Sequence, residues 1–147
     1  MANHYFLNHR FNEAAQIYSE ILERNNRNDK VKVKLIPCLL KEGKVDYAFA
    51  LFYELLNHNP LLFPCDNNTE DCPCREVLNE IENDKTTKLS IKDFYLSLAM
   101  LYTYCDSFKA KRYFDLIKSL SPENKKYRKT HQLISKLIQN QNSREQL

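Results

Sequence analysis

This sequence predicts an all-α fold of repeated antiparallel helix pairs, and three observations lead there. The first is a recurrence. Ala14, Tyr18 and Asn26 fall in register with Ala48, Phe52 and Pro60 at an interval of 34 residues. A third copy, Ala110, Phe114 and Pro122, keeps the internal spacing but arrives 28 residues late. A small residue, a large aromatic four positions on and then a break describe the second half of a helix hairpin. The second observation is a single glycine, Gly43, in 147 residues. Strand-rich folds need many positive-φ turn positions, and this chain has almost none. The third is apolar spacing by threes and fours, as in Val45, Ala48, Phe49, Phe52, Leu55 and Leu56, which is the stripe of a one-sided helix.

Taken in order, the first unit covers about residues 1–28 and shows Ala2, Tyr5, Phe11, Ala14, Tyr18 and Ile21. The second covers about 29–62, with Gly43 at its turn and Pro60 at its end. Its opening run, Val31-Lys32-Val33-Lys34-Leu35-Ile36-Pro37, alternates like a strand when read alone. The 34-residue register makes it a helix with Pro37 inside, kinked or started late, at a cost of roughly 3 kcal/mol. The third unit covers about 91–124, with Ser90 and Asp93 as an N-terminal cap and Phe94, Leu98, Leu101 and Tyr102 on its stripe. Cys105 stands where the second unit has Gly43. A closing helix is expected over about 122–139, with Ser121 as cap and Pro122 in its first turn. Tyr127, Leu133, Ile134, Leu137 and Ile138 give it one apolar face, and residues 140–147 read as a polar, disordered tail.

A 34-residue helix hairpin carrying Ala14/Tyr18, Ala48/Phe52/Pro60 and Ala110/Phe114/Pro122, with Gly43 in support, resembles the tetratricopeptide repeat. The resemblance covers about four-fifths of the chain and implies a right-handed α-solenoid whose units bury apolar faces by stacking. It departs from the pattern at the aromatic position near the start of the first helix, where the second unit has Lys32. In the family register Ala2 falls at repeat position 8, so the sequence opens within a repeat and reads as a cut boundary.

The resemblance also implies a function: a partner's peptide or helix laid in the groove lined by the first helix of each pair. Carried onto this sequence, the groove positions are Asn3, Phe6 and Leu7; Val33, Lys34, Pro37, Leu40 and Lys41; and Lys92, Tyr95, Leu96, Ala99 and Tyr102. One subgroup clamps a C-terminal carboxylate. Here Asn3 and Lys92 hold two such positions while Lys34 and Leu96 replace the others, which argues against that ligand. Three lysines beside Tyr95 and Tyr102 suit an acidic segment with an apolar anchor, against the plainer reading of an ordinary solvated face.

The insertion, about 63–90, carries the oddest local chemistry. It nets −4 against +7 for the rest of the chain, and Pro73 could open a short helix with Val77, Leu78 and Ile81 facing the repeats. Cys65, Cys72 and Cys74 cluster there, with His58 just upstream. Three readings stay open: a zinc site on these four residues, which lacks a C-x2-C knuckle; a disulfide from Cys65 to Cys72 or Cys74; and free thiols. Five cysteines forbid full intramolecular pairing, and Cys38 and Cys105 read as small core residues. Asn67-Asn68-Thr69 is a glycosylation sequon without a secretory context. The acidic insertion could also fold back on the basic groove and compete with a partner.

Other function classes find less support. One glycine cannot write a phosphate-binding loop, and His4, His9, His58 and His131 show no metal-helix spacing, so neither catalysis nor a cofactor is expected. No small-molecule substrate is expected either. No run of 18 apolar residues exists. Lys125-Lys126-Tyr127-Arg128-Lys129 is a basic cluster of the kind helical RNA binders use, but a net charge of +3 argues against nucleic acid. Self-association through an exposed repeat end is the remaining alternative.

Overall fold

The computed structural model describes residues 10–63, 74–83 and 89–145. Every regular element among them is helical. In chain order these are α1 (Phe11–Arg24), α2 (Asp29–Lys41), α3 (Val45–His58), a 3-10 turn (Pro60–Leu62), α4 (Cys74–Asn83), α5 (Ile91–Cys105), α6 (Ser107–Leu120) and α7 (Lys125–Glu145).

The recurrence in the sequence is a recurrence in space. Helices α1, α3 and α6 are each 14 residues long and begin at residues 11, 45 and 107. Ala14, Ala48 and Ala110 donate their backbone N–H to Arg10, Lys44 and Asp106 at 3.1, 3.1 and 3.0 Å. All three alanines are fully buried, as are Phe52 and Phe114, and Tyr18 nearly so. The helices also end alike. Asn25, Asn59 and Ser121 close them by donating to Ile21, Leu55 and Ile117, and each then accepts from the residue three further on (Asn28, Leu62, Asn124).

Packing follows the chain: α1 on α2, α2 on α3, α5 on α6, and α6 on α7, with α3 also touching α5 and α7. The join between the halves is aromatic. Phe63 is fully buried, its ring 4.8 Å from Phe52 and 5.4 Å from Tyr104, while Phe52 lies 5.9 Å from Phe114. The first residue of the insertion is therefore a core residue. The buried hydroxyls of Ser97, Thr103 and Thr130 each donate to the carbonyl four residues back.

The alternating run before Pro37 is helix, and α2 continues through the proline. Proline has no N–H, so the Val33 carbonyl four residues earlier loses its intrahelical donor. The Tyr104 hydroxyl of α5 supplies a replacement, donating to Val33 O at 2.7 Å. At the departure from the family pattern, the Lys32 side chain is only 6% exposed and its ammonium sits 3.0 Å from Glu54 and 3.9 Å from Asp29. Its aliphatic stem is buried while the charge reaches carboxylates nearer water.

Two boundaries differ from the sequence reading. Helix α7 starts at Lys125, because Asn124 caps it: its Oδ1 accepts from Lys126 and Tyr127 at 3.0 and 3.2 Å. Ser121 instead closes α6, and Pro122 lies in the turn between them. The same helix runs on to Glu145, through most of the stretch expected to be a disordered tail. The two hairpin turns also differ. Gly43 follows α2 at φ 80°, whereas α5 runs through Cys105 and meets α6 at the single residue Asp106, whose carboxylate caps Lys109 at 3.2 Å.

Candidate functional site

Helices α2 and α5 carry the groove positions expected from the sequence beyond the first seven residues. Asn3, Phe6 and Leu7 lie outside the described residues. Of the rest, Lys41 and Lys92 are exposed, Val33, Lys34, Tyr95 and Tyr102 are half-buried, and Leu40, Pro37, Leu96 and Ala99 are buried. Leu40 and its buried neighbours thus shape the surface from beneath and offer no open contact.

The insertion helix α4 brings two of these positions together. It packs on α5 and also touches α2. Val77, Leu78 and Ile81 face inward, exposed by 0%, 5% and 6%. On one flank the Glu80 carboxylate meets the Lys41 ammonium at 2.7 Å. On the other, the Glu82 carboxylate accepts a hydrogen bond from the Tyr102 hydroxyl. Burial first, then this bond and the Glu82 charge, push the Tyr102 phenol above its ordinary range.

Tyr102 belongs to an aromatic run along α5 and α6. Its ring stacks on Tyr113 at 5.5 Å, Tyr113 sits 5.9 Å from Tyr95, and Lys109 lies 5.3 Å over the Tyr102 ring. Sequence reasoning missed Tyr113, which stands on a second helix outside the groove register. Lys92 goes elsewhere, its ammonium 5.9 Å from the ring of Tyr127 on α7. It therefore does not join Lys41 and Tyr102 at α4.

A cleft of about 270 Å³ opens where α4 meets the end of α5, lined by Arg75, Leu78, Glu82, Tyr102, Cys105 and Lys109. The half-buried Cys105 thiol is raised by burial and then by Asp106, partly offset by Arg75 and Lys109. Cys38 is fully buried, and its thiol is pushed up to about 12 by burial and by Glu42. Both are free thiols of low nucleophilicity, since the reactive thiolate is disfavoured. Of the proposed zinc set, His58 is exposed at the end of α3; Cys65 and Cys72 lie outside the described residues, and Cys74 opens α4. Among the described residues no three histidine, cysteine or carboxylate side chains gather as a metal site, and no helix is long and apolar enough to cross a membrane.

The basic cluster on α7 keeps Lys125, Lys126, Arg128 and Lys129 exposed but buries Tyr127. That ring sits 5.3 Å edge-on to Phe49, so it is not open for base stacking.

Comparison with protein-family models, with curated proteins and with solved structures gives no match for this chain.

Proposed function

We propose that this chain is a non-catalytic, tetratricopeptide-like interaction module, a right-handed solenoid that acts as scaffold or adaptor. Its ligand in this reading is an acidic segment of another protein with an apolar anchor, bound across α2 and α5. The observation that carries the reading is the spatial recurrence of α1, α3 and α6, with matched lengths, buried alanine–aromatic pairs and closing turns. Repeats of that kind leave the first helices of successive pairs side by side, and here those helices carry Lys34, Lys41 and Tyr102. The test is co-purification from native extract, comparing wild type with a folded Lys34→Glu/Lys41→Glu variant. A protein retained by wild type and lost from the variant supports the groove; equal retention removes it.

Self-association is the second reading, favoured by Phe108, Leu116 and Leu120 of α6, which are exposed by 58%, 46% and 54%. Light scattering over a concentration series, with Phe108→Ser/Leu116→Ser alongside, separates the two readings.

A further inference from the structure

The insertion helix α4 is placed as a ligand would be. Resting on the groove reading above, we propose that α4 is an intramolecular stand-in for the partner. The surface of α2 and α5 takes an acidic amphipathic helix from another protein, and that helix must displace α4 to bind.

Four observations converge on this. First, α4 lies outside the recurrence. The repeated helices keep their register across it, the second interval being 34 residues plus the 28-residue insertion. Second, it is 10 residues long, below the length at which an isolated helix is stable in water, so its helicity depends on what it docks against. Third, its contacts are those of a bound amphipathic peptide. Val77, Leu78 and Ile81 form the buried stripe, and helical geometry sets Glu80 and Glu82 roughly 100° to either side of it. Each acid meets a different wall, Glu80 the Lys41 of α2 and Glu82 the Tyr102 of α5. Fourth, the charges are complementary at the scale of the segment, −4 in the insertion against +7 elsewhere.

The polar part of the hold is weak. The Lys41 and Glu80 side chains are 37% and 42% exposed, and an ion pair that wet adds little. Three apolar side chains supply most of the attachment. A displacing helix needs the same grammar, apolar residues at i, i+1 and i+4 with acids at i+3 and i+5, as in Val77-Leu78-Asn79-Glu80-Ile81-Glu82.

The probe is a fluorescein-labelled peptide with the sequence of residues 74–83 carrying Cys74→Ser, titrated by anisotropy under reducing conditions. It is added to the full chain, to the full-chain Glu80→Gln/Glu82→Gln variant, and to that variant with Lys41→Gln. The expected result is about tenfold tighter binding to the Glu80→Gln/Glu82→Gln chain than to wild type, with that gain cut by about threefold on adding Lys41→Gln. Equal affinities, no binding to either chain, or indifference to Lys41→Gln overturn the proposal. Hydrogen exchange on the unaltered chain gives an independent arm. Amides of α4 should exchange at least about a hundredfold faster than those of Leu98–Leu101 in α5, and faster still with the peptide present. Exchange of α4 at the α5 rate would make it a fixed part of the core and sink the stand-in. If co-purification still depended on Lys34 and Lys41, the groove reading would survive that failure.

Discussion

At the scale of single residues, the Val33 carbonyl shows how this chain accommodates a helix-breaking residue. Pro37 removes the intrahelical donor to that oxygen, and Tyr104 restores one from another helix. Tyr104→Phe should therefore cost about 1–3 kcal/mol, the penalty of a buried carbonyl left unpaired. In a Pro37→Ala background, where residue 37 regains its N–H, the same change should cost under about 1 kcal/mol. Urea denaturation of the four chains measures that coupling directly. Lys32 makes a second case. The nearly buried stem fills space and the head pairs with Glu54, so Lys32→Met should stay within about 1 kcal/mol of wild type. Lys32→Ala should lose about 2 kcal/mol through the cavity alone. Neither role was legible beforehand. The sequence shows Pro37 and Lys32 as departures from a pattern, while Tyr104 lies 71 residues from the Val33 carbonyl it answers and Glu54 lies 22 from Lys32.

At the scale of elements, what was legible had a local cause. Apolar spacing marked the helices, and Ser90 was readable as a cap because its hydroxyl needs only the N–H three residues on, which it accepts at 3.1 Å. The closing helix misled because two good caps compete within four residues. Ser121 is used to end α6, which leaves Asn124 to begin α7. The position of α4 was beyond reach for a different reason. Its amphipathic pattern fixes which face is buried but says nothing about which helices bury it. Turn chemistry makes a further prediction. Gly43 holds φ 80°, so Gly43→Ala should destabilise by about 1–2 kcal/mol, read as a lowered thermal midpoint. Asp106→Ala, at the turn between α5 and α6, should cost about 1 kcal/mol through loss of the cap to Lys109.

At the scale of the whole molecule, buried acids of high pKa govern the alkaline limit of stability. The Cys38 thiol is held at about 12 in the fold, against an ordinary value of 9.0. Between those values the unfolded chain releases a proton that the folded chain retains, so stability falls as pH rises. Tyr18 and Tyr102, raised by burial from 10.0, add to the same slope at higher pH. Denaturation midpoints should hold steady to about pH 8 and decline from about pH 9. Cys38→Ala should make that decline shallower between about pH 9 and pH 10, with Cys105, whose thiol is also raised, keeping part of the slope.

Chains built from like units are ordinarily editable by whole units, since each one contacts only its neighbours. The hydroxyl of Tyr104 on the carbonyl of Val33 withdraws that freedom. Helix α2 is written with a fault in it, and α5 carries the repair. Deleting or exchanging α5 and α6 would export the defect into α2, which the cut never touched. Helices α2 and α5 thus form one editable block where the recurrence counts two.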